Sequence, residues 1–130
     1  MASEVERIVE RFCHDEVTVE LVAYYLYKPD LRGSVESIAQ CLGRSPEEVE
    51  RALGPLVEIG IVRVREVPGS GMKLVEFVPL KRGDGVIVEA LQMVRKKYEA
   101  LFQKVLSRCF DYALANFQRM LGGGREGQGS

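Results

Sequence analysis

The chain has 130 residues, a hydrophobic fraction of 46%, a charged fraction of 28% and a formal net charge of −1. One soluble globular domain with an appendage fits these values, and its core needs no covalent staple at this length. The balanced charge excludes a global field that would draw the protein to DNA or to an anionic membrane, so any binding charge must be local. The three cysteines, Cys13, Cys41 and Cys109, are odd in number and widely spaced. They are expected to be free thiols in a reducing cytosol, behaving as small hydrophobes. The opening MASEVERIVERF carries acids and no apolar run of the signal-peptide kind. With no run of about 18 apolar residues, a membrane span is not expected. The expected location is cytoplasmic.

In chain order, Ser3 and Glu6 form a possible capping box, and Val5, Ile8, Val9 and Phe12 share one helical stripe. A first helix is predicted over 4–13. Asp15 caps a second over 16–27, apolar on almost every side and therefore central to the core. Pro29 ends it, and 29–33 is predicted as a loop turning at Gly33. Ser34 caps a third helix over 35–42, with Ile38, Ala39 and Leu42 inward, and Gly43 takes the left-handed position after it. Ser45, Pro46 and Glu48 supply an N-cap, a first-turn proline and a capping box for a fourth helix. Val49, Ala52, Leu53 and Leu56 form its inner stripe. Gly54-Pro55 predicts a kink near 51–55, with a break into two helices as the alternative.

Gly60 stops the fourth helix, and alternation then predicts a strand over 61–67 and a second over 73–78. Pro68-Gly69-Ser70-Gly71 joins them as a hairpin. Asp84 is placed to cap a last helix from Gly85 to Leu121, which would be roughly 50 Å long. A domain of the preceding residues, with a radius of gyration near ~12 Å, cannot cover it all. Ile87, Leu91, Val94, Tyr98, Leu101 and Val105 step at coiled-coil spacing, and Phe110 and Phe117 continue on a shifted seam. A homodimer built on these residues is expected; a break near Ser107 that folds the helix back is the alternative. The tail 122–130 is low-complexity and expected to be disordered.

Catalytic chemistry finds little support, and the protein is not expected to be an enzyme. His14 is the only histidine. It lacks partners for a metal site, so no metal and no cofactor are expected. Gly69-Ser70-Gly71 precedes a strand and cannot act as a phosphate cradle. Charge divides by segment. Residues 44–58 hold Arg44 and Arg51 against Glu47, Glu48, Glu50 and Glu58, a net −2. Residues 61–82 hold Arg63, Arg65, Lys73, Lys81 and Arg82 against Glu66 and Glu76, a net +3. In a nucleic-acid complex Arg51 would reach a base edge, with Gln40 in support. Arg44 and Ser45 at the helix start would touch phosphate. Arg63, Arg65 and Lys73 would hold the backbone.

The run SIAQCLGRSPEEVERALGPLVEIGIVRV, followed by the hairpin around RVREVPGSGMK, resembles winged helix-turn-helix regulators of the broad MarR, ArsR and PadR type. The resemblance covers residues 16–82, about half the chain. It implies a mainly α fold with a small β-hairpin (α+β): a winged helix-turn-helix domain over 1–82 and a long C-terminal dimerisation helix over 84–121. It implies a dimeric DNA-binding transcriptional regulator whose partner is double-stranded DNA. Two other expectations stand beside it. One is a winged-helix protein-interaction module that does not read DNA, docking a protein partner through the acidic helix 46–58. The other is a ligand pocket lined by Tyr24, Tyr25, Tyr98, Phe102 and Cys109.

Overall fold

The structure, a computed structural model, describes residues 3–129, with side chains described for 3–121; the side chains of the low-complexity tail 122–130, a segment expected to be disordered, lie outside the described residues. The elements in chain order are α1 (Glu4–Phe12), α2 (Glu16–Tyr27), β1 (Arg32–Ser34), α3 (Val35–Leu42), α4 (Pro46–Ile59), β2 (Val62–Glu66), β3 (Lys73–Phe77), α5 (Gly85–Lys97) and α6 (Glu99–Gly129). The chain is mainly helical with one small antiparallel sheet, an α+β class.

The helix starts follow from side chains that satisfy the free N–H groups of a first turn. The Asp15 carboxylate accepts from the Thr18 N–H at 2.7 Å and starts α2. The Ser34 hydroxyl accepts from Ser37 N–H at 3.1 Å and starts α3. At α4 the box is complete: Ser45 Oγ accepts from Glu48 N–H at 3.2 Å, and Glu48 Oε1 accepts from Ser45 N–H at 3.1 Å. The helix ends are as local. Gly43 and Gly60 close α3 and α4 with φ of 70° and 97°, in the left-handed region where a Cβ is costly.

α2 is the centre of the core. Residues Val17–Tyr25 are all buried, which is why its sequence shows no polar face. α4 lies on one side of it and α6 on another; α1 packs on α5 and α4. The sheet is anchored by Phe77, whose ring meets Tyr24 and Tyr25 edge-on at 5.8 and 5.4 Å. The Tyr25 hydroxyl also donates to the Val78 carbonyl at 2.6 Å.

Four sequence expectations are corrected. Residues 32–34 are not loop but strand β1, paired antiparallel with β3 in a sheet of order β1-β3-β2. Gly33 is therefore a strand residue opposite Val75; a Cβ there would sit 3.1 Å from Ser37 Oγ, and this close approach replaces a turn as its reason. Asp84 does not cap α5 through its side chain; Oδ2 instead accepts from Lys81 N–H at 2.8 Å and closes the turn before the helix. The long helix from Gly85 is interrupted at Tyr98, well before Ser107. The bend lets α6 run back along α2 and α3, burying Phe102, Val105 and Cys109. A straight helix would leave those side chains in water. Pro55, by contrast, does not split α4: the helix is unbroken from Pro46 to Ile59, since Ala52, Leu53 and Leu56 are buried on both sides of the lost hydrogen bond.

Ser45→Ala should lower unfolding stability by about 1 kcal/mol in denaturant titration, the usual cost of a lost N-cap. Glu48 has its carboxyl pKa lowered, first by the Ser45 backbone N–H and then by its hydroxyl. Its contribution is complete above the unfolded value near 4.5 and is lost as pH falls through the lower folded value. Glu48→Gln should therefore lose less stability than wild type as pH drops below 4.5.

Candidate nucleic-acid interface

The α3–α4 turn is fixed by charge as well as by caps. Arg44, between the two helices, directs Nε and Nη2 at the two carboxylate oxygens of Glu20, at 3.1 and 2.7 Å. Glu20 lies on α2 with a side chain only 3% exposed, and Arg44 also has Glu16 and Glu48 at 3.5 Å. These partners raise the Arg44 pKa further, first through the Glu20 hydrogen bond. A fork-on-carboxylate pair of this kind is strong and directional. The structure thus assigns Arg44 to holding the turn on α2. Two of its three guanidinium nitrogens, Nε and Nη2, are thereby engaged inside the chain. The Ser45 hydroxyl beside it accepts from Glu48 N–H.

α4 turns Glu47, Glu50, Arg51, Gly54, Val57 and Glu58 outward. The net −2 counted from sequence is largely answered by neighbours. Glu50 meets Lys73 Nζ of β3 at 2.5 Å, and Glu58 meets Arg11 of α1 at 2.6 Å. Arg51 and Glu47 make no ion pair among the described residues. The Lys73 pKa is raised, chiefly by the hydrogen bond to Glu50, so it remains cationic. This contact ties the hairpin to the outer face of α4.

On the sheet, register gathers arginines around one acid. Arg32 of β1 and Arg63 of β2 both stand opposite Glu76 of β3. Arg65 hydrogen-bonds Glu76, and Arg32 Nε lies 4.0 Å from it. Two arginines share one carboxylate and Arg63 stands beside them without an ion pair among the described residues, which leaves this face positive. A cleft of about 270 Å³ beside it is lined by Arg32, Arg63, Lys81 and Asp30 among others. Of the six residues expected to touch nucleic acid, the structure brings Arg51 and Lys73 to one side of α4 and its hairpin. Arg63 and Arg65 lie on the outer sheet face, and Arg44 and Ser45 are internal supports.

Sequence reasoning missed Arg32 and did not single out Lys81. Arg32-Gly33-Ser34 is too short to alternate, and its pairing with β3 is non-local, so nothing near it in sequence announces a strand.

The expected dimer residues divide. Leu91, Val94 and Val105 are buried in the protomer's own core, and Ile87, Tyr98 and Leu101 pack half-buried against it. The interruption at Tyr98 sets this seam against α2 and the rest of the protomer's core. Phe110 and Phe117 instead remain 60% and 58% exposed, with Leu114, Met120 and Leu121 also exposed on the same helix. Of the expected ligand pocket, Tyr24 and Cys109 line a cleft of about 510 Å³ together with Tyr112, whereas Tyr25, Tyr98 and Phe102 do not line it. Among the described residues no group of three or more His, Cys, Asp or Glu is placed to hold a metal ion, and no helix is long and apolar enough to cross a membrane.

Comparison with protein-family models, with curated proteins and with solved structures found no match to this chain.

Arg44→Met should cost about 3 kcal/mol in denaturant unfolding, because it strands a buried carboxylate. Adding Glu20→Leu should recover most of that loss. A single variant as stable as wild type would show that the pair does not hold the turn.

Proposed function

We propose that the chain is a dimeric, winged-helix, DNA-binding transcriptional regulator. The observation that carries this reading is the order α2-β1-α3-α4-β2-β3 with strand order β1-β3-β2. In that arrangement α4 is the exposed helix of a capped pair, and the β2–β3 hairpin is its wing. α4 would enter the major groove with Arg51 toward base edges. Arg63, supported by Arg32 and Lys81, would take phosphate, which carries most of the affinity and makes it salt-dependent. Lys73 acts at one remove: by neutralising Glu50 it lowers the repulsion that α4 would otherwise present to the backbone.

The dimer belongs to the outer part of α6. Phe110, Leu114, Phe117 and Leu121 recur at 4-3-4 spacing on an exposed face of the helix. A second copy of the same helix covers such a seam self-complementarily. The rival reading, a protein-interaction module using the acid face of α4, has less behind it. Glu50 and Glu58 already have cations from the same chain, which leaves Glu47 as the remaining exposed acid without one.

Duplex DNA binding measured across a salt series tests the proposal. Affinity should fall steeply with salt; Arg63→Ala should reduce the slope of log K against log salt by about 1. Arg51→Ala should cost roughly 1–3 kcal/mol on a preferred site. A folded dimer that binds no duplex at low salt would overturn it. In sedimentation, a Phe110→Glu/Phe117→Glu variant should run as a monomer with unchanged circular dichroism; a wild-type chain that is already monomeric would remove the dimer from the proposal.

A further inference from the structure

Cys41 and Cys109 are 68 residues apart in sequence, yet their sulfur atoms lie 3.7 Å from each other. Cys41 is on α3 and Cys109 on α6, and both are buried and free. The neighbouring residue Arg108 donates from Nη1 to the Leu42 carbonyl at 2.7 Å, so two adjacent positions of α6 grip two adjacent positions of α3. This is the end of α3 that leads through Gly43 into the turn held by Arg44.

We propose that Cys41 and Cys109 form a peroxide-sensitive thiol pair whose oxidation to a disulfide clamps α6 onto the α3–α4 turn. The pair is not shut off from small oxidants. Cys109 and Tyr24 line the cleft of about 510 Å³ between α2, β1, α3 and α6, which is wide enough for hydrogen peroxide; Cys41 does not line it, and its sulfur lies 3.7 Å behind that of Cys109. The two sulfurs have distinct roles. Cys41 is the more acidic: its hydrogen bond with Cys109 outweighs burial, Tyr24 adds to it, and the thiol is lowered to about 7. The Cys109 thiol is raised, by the same hydrogen bond and by burial. A thiolate beside a protonated thiol is the arrangement of an attacking and a resolving cysteine.

The chemistry closes with hydrogen peroxide as the oxidant. The Cys41 thiolate attacks one peroxide oxygen; an S–O bond forms, the O–O bond breaks, and hydroxide leaves to take up a proton as water. The Cys109 sulfur then attacks the Cys41 sulfenic acid; the S–S bond forms, the S–O bond breaks, and water leaves with the Cys109 proton. Two thiols and one peroxide give one disulfide and two waters. The sulfurs must close from 3.7 Å to about 2.05 Å. Side-chain rotation with a small shift of α6 toward α3 accomplishes this.

Cys13 is half-exposed on the far side of α2's start and plays no part, which makes a clean experiment possible. The full-length wild-type chain and a Cys13→Ser variant are treated with hydrogen peroxide, quenched and alkylated under denaturing conditions. Both should lose two alkylatable thiols and 2 Da, and digestion should yield a Cys41–Cys109 cross-linked peptide. Dithiothreitol should restore both thiols. Because the bond closes a long loop, the oxidised chain should melt on the order of 10 °C higher than the reduced one. Recovery of Cys41 and Cys109 as free thiols, as sulfinic acids or in disulfides between chains would overturn the proposal. Neither arm depends on DNA binding, so a failed DNA assay leaves this test intact.

Discussion

A carboxylate buried on the central helix has to find a partner, and in this chain that need organises the molecule. Glu20 sits among apolar residues on α2, where an unpaired charge would cost several kcal/mol. Arg44 meets it with two nitrogens from the turn between α3 and α4. The pair joins the part of the chain that makes the core to the part that faces outward. Capping then fixes the direction in which α4 leaves the turn: the Ser45–Glu48 box starts the helix one residue beyond the arginine. Arg108 and Cys109 press on the other side of the same turn from α6. The orientation of α4 is therefore set by α2, α3 and α6 together, with little left to the loop itself.

The same bookkeeping of partners explains how a chain with net charge −1 can still present a basic surface. Cations near α4 fall into two groups. Arg44, Lys73, Arg65 and Arg11 are committed to Glu20, Glu50, Glu76 and Glu58. Arg51 and Arg63 project outward without an ion pair among the described residues, and Arg32 reaches Glu76 only at 4.0 Å. Exposed pairs such as Arg11–Glu58 add little stability. Their effect here is on the field: each removes a negative charge from the face that α4 offers. A tally of charges along the sequence weights all of these residues equally and so misjudges that face.

Much of the fold was legible because its signals are local. Caps at Asp15, Ser34 and Ser45 and stops at Gly43 and Gly60 mark α2, α3 and α4 within a residue of their observed ends. The alternation of Val62 and Val64 with Arg63 and Arg65 marks β2. What was not legible depends on contacts distant in sequence. β1 exists because Arg32–Ser34 meets β3 forty or more residues later. The bend at Tyr98 exists because Phe102, Val105 and Cys109 have a core to enter; no proline or glycine announces it. The heptad-like steps through Leu91, Val94 and Val105 fit an internal seam as well as an external one, and periodicity alone does not distinguish them. At the candidate interface, Arg51 and Arg63 could be named from sequence, but the occupation of Arg44 by Glu20 could not, since helix α2 and the turn are brought together only by folding.

Arginine side-chain NMR on the full-length protein tests the central division between structural and free cations most directly. Nε–Hε signals of Arg44, Arg51 and Arg63 can be followed as a short DNA duplex is added at low salt. We expect the Arg51 and Arg63 signals to shift while that of Arg44, bound to Glu20, stays in place. Movement of the Arg44 signal with Arg51 and Arg63 unperturbed would contradict this division.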